Sequence, residues 1–246
     1  MRISRAWVIA AKDMKVFWRK KYALYSLVLF PLIVSFGLPL MLHLTGSKAG
    51  ALRASILPVL MNSFSFFYLV GAASLPSVLA SYSIVGEKIE KSLEPLLAAP
   101  VTDAELLFGK SIAAFIPPVA ALYLSSICFM FLSNLVTRDT LGYAYFPNWT
   151  IGKILLLLAP LSATLSIEWS VIVSSKASDP RAAQMQGLFI VLPLTGVYIA
   201  SEVGAITLTS GTLWIISGIL LIADAILFFL ATKTFQREEI LTKWTS

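Results

Sequence analysis

Histidine and cysteine are almost missing from this 246-residue chain, which holds one of each, His43 and Cys128. A lone cysteine excludes an intramolecular disulfide, and a lone histidine excludes a histidine-rich metal site. Charge is scarce as well. Asp, Glu, Lys and Arg make up 13% of the residues, while 58% are hydrophobic and the mean hydropathy is +0.84. Soluble domains carry about 25% charged and 45–50% apolar residues, so too little polar surface exists to cover a water-soluble fold of this size. Acids are the scarcer sign, 13 against 19 Lys and Arg, which leaves a net charge of +6. In a soluble protein that balance would point to nucleic acid. Here the basic residues sit in short segments beside apolar runs, the pattern that sets membrane topology. The expected environment is a lipid bilayer, with no nucleic-acid partner, and the expected fold is all-α and polytopic.

A membrane helix needs about 20 mostly apolar residues. Six stretches qualify: 22–44, 54–85, 111–136, 154–173, 184–200 and 212–231. The second exceeds the bilayer, so it tilts, breaks near Gly71 or Pro76, or projects into water. The fifth is short, and the apolar stretch 201–211 after it reads as re-entrant or interfacial, allowed only where protein shields its backbone. With the N-terminus inside, 15 Lys and Arg lie on the inner side and four on the outer, Lys48, Arg53, Arg138 and Lys153. The positive-inside rule then puts both termini in the cytoplasm. The first run is too long for a signal-peptide core and has no small-residue cleavage site. There is no internal repeat, low-complexity tract or soluble domain, so residues 1–246 form a single membrane domain.

Residues 1–21 read as an amphipathic helix lying in the interface. Ile3, Ala6, Trp7, Ala10, Met14, Phe17 and Trp18 share one face; Arg5, Lys12, Lys15 and Arg19 oppose it, with Val8, Ile9 and Val16 blurring the polar side. Two roles are open, a juxtamembrane anchor and a relay of motion to the spans.

The longest connector, 86–110, is the most specific segment. Ser92 suits a helix N-cap with Pro95 in the first turn, and Pro100 stops the helix after about two turns. Leu93, Leu96 and Leu97 fall on one side. Thr102 and Glu105 predict a capping box, and Val101 with Leu106 a hydrophobic staple, opening a helix that continues into the third span. Exposed leucines flanked by acids either invite a protein partner or dip into the interface.

The run Glu87, Ser92-Leu93-Glu94, Leu96-Leu97 and Pro100-Val101-Thr102, placed after the second of six spans, resembles the cytoplasmic loop of ABC-2-type permeases. It departs from that pattern at Lys91 and Pro95. A second resemblance is Ser178-Asp179-Pro180-Arg181-Ala182-Ala183-Gln184 at the inner end of span five, ahead of Pro193. The resemblance implies a type V exporter-like architecture in the cytoplasmic membrane. It implies a homodimer served by a separate ABC ATPase chain that carries ATP and Mg, with no cofactor on this chain. The segment 86–101 would be the coupling helix, with Leu93, Leu96 and Leu97 as apolar contacts and Glu87, Glu90, Ser92, Glu94 and Pro100 completing it. Spans two and five would line the pathway, making Phe64, Phe67, Tyr68 and Tyr198 candidates; ordinary packing is the alternative.

Gly109-Lys110-Ser111 imitates the end of a phosphate-binding loop, but Ala104 stands where its first glycine belongs and no strand precedes it. No paired-histidine, Gly-x-Ser-Gly or dense carboxylate motif is present, so enzymatic activity is not expected. Glu168 and Asp224 lie within spans four and six, where ionisable groups are costly. They either reach the inner interface or form an ion or proton site, the latter giving an alternative function as an ATP-independent carrier or channel subunit. His43 reads as interfacial, Cys128 as a small hydrophobe, and Asn148-Trp149-Thr150 as a glycosylation sequon on the outer side. Pro31, Pro39, Pro76, Pro117, Pro118, Pro160 and Pro193 are expected to kink five of the six spans.

Overall fold

The computed structural model of the chain describes residues 3–19, 21–48, 53–90, 101–177, 179–202, 206 and 209–234. Among them every regular element is a helix. Six are long and apolar enough to cross a membrane: Leu27–Thr45, Ala54–Glu87, Asp103–Leu141, Trp149–Lys176, Arg181–Ser201 and Ser210–Thr232. These are the six spans expected from hydropathy, extended at several ends by polar turns. The N-terminal helix, Ile3–Arg19, precedes them. Of the stretch 201–211, residues 203–205, 207 and 208 lie outside the described residues.

Large apolar side chains remain exposed around the bundle, among them Leu29, Phe36, Leu124, Phe131, Leu156, Ile222 and Phe229. In water such a surface would aggregate; in hydrocarbon it is the expected solvent-facing surface. Where spans two and four meet, the interior is lined by small residues. Ser162, Ser166, Ser170 and Ser174 recur every fourth residue of span four, all fully buried, and the last two meet Ser77 and Ser81 of span two. Ser77 and Ser170 hydroxyls lie 2.8 Å apart. Ser174 Oγ donates to the Ser81 carbonyl at 2.7 Å and accepts from the Ile84 and Val85 amides. Small polar residues at this spacing let two helix backbones approach closely while satisfying each hydroxyl. Gly187 seats span five on the same ladder, since a Cβ there would lie 2.5 Å from Ser81 Oγ and 2.9 Å from Ser170 Oγ.

Span two breaks, but not where Gly71 or Pro76 suggested. The interruption falls at Phe66, between the helices Arg53–Ser65 and Phe67–Ile89. Ser65 Oγ bonds back to the Met61 carbonyl, and the Phe66 amide takes the Ser63 carbonyl in a tight i→i+3 turn. A hydroxyl competing for helix carbonyls bends the helix at that point. Gly71 serves packing instead, because a Cβ there would meet the Phe30 ring of span one at 2.5 Å. Pro76 sits within an unbroken helix.

Spans one and four each contain one π-helical turn, Ile33–Gly37 and Ile154–Leu158. The first lies between Pro31 and Pro39, the second just before Pro160. Proline removes an amide and displaces the backbone, and a widened turn is one way to absorb this. Ser125 of span three donates to the Pro31 carbonyl at 3.0 Å, supplying a partner that the distorted helix lacks. At the bundle end away from the N-terminal helix, Asn134 accepts from the Tyr145 and Phe146 amides and donates to the Phe146 carbonyl. Asn148 caps the helix that starts span four and donates to Asn62 Oδ1 at 3.2 Å, so the sequon amide is already engaged.

Candidate functional site: a buried ionic joint beneath the long connector

The third span begins as its sequence predicts. Thr102 Oγ1 accepts from the Glu105 amide at 3.2 Å, and Glu105 Oε2 accepts from the Thr102 amide at 3.1 Å. Val101 and Leu106 pack in one apolar cluster with Ile9, Phe17, Leu79 and Ile84. The helix then runs unbroken from Asp103 to Leu141.

The first turns of this helix carry the N-terminal helix. Gly109 makes the contact possible: a Cβ would lie 2.7 Å from the Ala6 carbonyl oxygen and 2.9 Å from Ile9 Cβ. The buried face of the N-terminal helix is Ala6, Ile9, Ala10, Asp13 and Phe17, whereas Trp7 and Trp18 are exposed. Ile9, which the helical wheel set on the blurred polar side, belongs to the packed face, where Gly109 lets the two helices approach.

Beside Gly109, Lys110 points inward with its side chain 1% exposed. Its ammonium lies 2.9 Å from Glu87 Oε2, 3.3 Å from Asp13 Oδ2 and 2.9 Å from the Ser83 carbonyl. Glu87 Oε1 pairs in turn with Lys12 at 3.1 Å. Two cations and two carboxylates thus join the N-terminal helix, the end of span two and the start of span three. Lys110 donates to Asp13 and the Ser83 carbonyl, and its contact with Glu87 is an ion pair. Burial raises the Asp13 carboxyl above its ordinary value of 3.8, with Glu87 adding to the rise and Lys110 and Lys12 opposing it. Burial is the largest cause, as befits a charge withdrawn from water.

Glu87 therefore does not stand on the rim of an exposed loop. The helix of span two extends past it to Ile89, and the carboxylate is turned into the joint. Glu90 is exposed at the helix end. Ser92, Leu93, Glu94, Leu96, Leu97 and Pro100 lie outside the described residues. Sequence reasoning missed Asp13 and Lys110. The Gly109-Lys110 pair had drawn notice only as a false phosphate-loop ending, although a lone lysine before an apolar span was the available signal.

Of the aromatic candidates, the structure gathers three and separates one. Tyr198 of span five packs edge-on against Phe67 at 5.4 Å, and Phe67 meets Phe64 at 6.4 Å. Phe66, at the break in span two, stacks on Tyr198 at 5.3 Å and joins the group unforeseen. Tyr68 is fully buried elsewhere, against Phe129, its hydroxyl donating to the Ser125 carbonyl. The contact between spans two and five is thus aromatic at the break in span two and built from Gly187 and serines further along.

Thr164 donates to Asp224 Oδ2 at 3.0 Å. Asp224 Oδ1 and Glu168 Oε2 are buried with no hydrogen-bond partner among the described residues. Among those residues no group of three or more His, Cys, Asp or Glu is placed to hold a metal ion. His43 is exposed at the end of span one, and Cys128 is half-buried. At the inner-motif segment, Asp179 caps the helix Pro180–Gly187 that opens span five, accepting from the Ala182 amide.

Comparison with known proteins agrees with this architecture. No curated protein matches the chain. A family profile described as ABC-2 family transporter protein matches residues 7–229, from the N-terminal helix to near the end of span six. The chain belongs to the ABC-2 family and is the multi-pass membrane subunit of a transporter.

Proposed function

We propose that this chain is the permease of an ATP-driven exporter in the cytoplasmic membrane, with both termini in the cytoplasm. Two copies pair, and each is served by a separate ATPase chain that binds ATP and Mg. The permease performs no chemistry of its own. The segment 86–101 docks on the ATPase through Leu93, Leu96 and Leu97, with Glu90, Ser92, Glu94 and Pro100 shaping the helix. Closure of the ATPase pair pushes this segment, and spans two and five alternate between inward-facing and outward-facing arrangements around Phe64, Phe67 and Tyr198. Substrate stimulates hydrolysis only in so far as it prefers one of those arrangements.

The observation that carries the reading is the ionic joint. Glu87 and Lys110 bracket the docking segment and lie 2.9 Å apart, and Asp13 ties them to the N-terminal helix. A segment whose two roots are clamped together transmits force to three helices as one body; a slack loop would absorb it.

The test is ATPase turnover in lipid nanodiscs with and without the candidate ATPase chain, comparing wild type with a Leu93→Asp/Leu96→Asp double variant. Wild type is expected to bind the ATPase and alter its turnover, and the folded double variant to lose both. Engagement that survives the double substitution overturns the docking assignment. The bare carboxyl oxygens of Glu168 and Asp224 favour a second reading, an ATP-independent carrier or channel subunit with an ion or proton site there. That reading requires transport along an ion gradient, without an ATPase, abolished by neutralising either acid.

A further inference from the structure

Spans three, four and six form a half-open cavity of about 380 Å³ near the bundle end that carries the N-terminal helix. Its wall is apolar and aromatic, with Phe108 and Phe115 from span three and Phe228 from span six. Thr164 and Glu168 of span four also line it, and Glu168 is the one charged side chain among the described lining residues. Small-molecule sites are concave, mostly apolar, and about 300–1,000 Å³, with a few placed polar groups. This cavity has that form.

Among the described residues Glu168 Oε2 has no hydrogen-bond partner, and behind Thr164 the Asp224 Oδ1 atom has none either. Glu168 therefore offers the cavity one carboxyl with no described cation beside it, and in low dielectric such a group attracts an incoming cation strongly. An acyl chain would fill the space yet leave the Glu168 carboxyl unpaired, which is costly away from water. A metal ion needs several oxygen ligands, which the apolar wall does not offer. The complementary occupant carries one delocalised positive charge on an apolar body.

We propose that this cavity binds a lipophilic organic cation, an aromatic ammonium whose charged head faces Glu168 and whose body lies among Phe108, Phe115 and Phe228. Phenylalanine faces add a smaller attraction for an ammonium through their quadrupole. The site names a cargo class for the transporter proposed above, but its occupancy needs no ATPase, so the two readings are tested separately.

The experiment measures equilibrium binding of radiolabelled phenethyltrimethylammonium to the full chain in phosphatidylglycerol nanodiscs, with empty discs as blank. Its uncharged carbon isostere is the competitor. Saturable binding is expected, with the isostere competing at least about ten-fold more weakly. Glu168→Gln should weaken binding by at least about ten-fold. Thr232→Trp, at an exposed position on the cavity lip, should obstruct entry without disturbing the core. Equal competition by the isostere marks a greasy groove filled by lipid and overturns the proposal. So does unchanged binding in folded Glu168→Gln or, should that variant not fold, unchanged binding in Thr232→Trp. Failure here with intact ATPase modulation would refute the cargo class and leave the exporter reading standing.

Discussion

At the scale of single residues, Lys110 is the most consequential side chain in the molecule. It is buried within reach of two carboxylates and a carbonyl. Removing one member of such a group leaves the opposite charges uncompensated, at a cost of about 3–5 kcal/mol. Lys110→Met should therefore lower the melting temperature in detergent steeply. Asp13→Asn should cost much less, because Lys110 keeps Glu87 and the Ser83 carbonyl. The pH dependence separates the two further. The Asp13 carboxyl is raised above 3.8 in the folded protein, so the folded state binds this proton more tightly than the unfolded chain. Its contribution to stability then grows as pH falls through the raised value toward 3.8 and is level below that. The melting temperature of wild type minus that of Asp13→Asn should increase on acidification; a constant difference would mean that Asp13 titrates as if exposed.

At the scale of helices, glycines set the contacts. Gly109→Ala brings a methyl group within 2.7 Å of the Ala6 carbonyl oxygen, a backbone atom that cannot swing aside. Overpacking of this kind costs about 1–3 kcal/mol, and it should lift the N-terminal helix off span three. A cysteine placed at Ala10, fully buried in the wild type, should then react with a water-soluble maleimide. Gly152→Ala, where a Cβ meets nothing within 4 Å, should leave both stability and labelling unchanged. The six spans, the Thr102/Glu105 cap and the continuation into span three were legible in the sequence, because hydropathy and capping are local signals. The ionic joint was not, since Lys12 and Glu87 are 75 residues apart and Asp13 and Lys110 are 97 apart. No periodicity links such positions. The break in span two was missed for a different reason. Glycine and proline are the usual punctuation, and here a serine back-bonded to a carbonyl did the work while Gly71 was spent on contact with Phe30.

At the scale of the whole molecule, six crossings would leave both termini on one side of the membrane, as proposed above. Tags at the two termini should be cleaved together in inside-out vesicles and both protected in right-side-out ones. Opposite protection of the two tags would mean that one of the six helices does not cross. The π-helical turns bear on the same bundle in another way. A π turn is an α turn carrying one residue too many, and Ile154–Leu158 sits between the capped start of span four and its serine ladder. It uncouples the length of the segment before it from the angular register of everything after it. Deleting Leu156, which is exposed, should let the turn relax to α geometry with the ladder still seated on span two. Deleting Leu165, inside the ladder, should rotate the remainder by about 100° and unseat Ser166, Ser170 and Ser174 together. The bundle thus tolerates a change of chain length at one address and forbids it a few residues later.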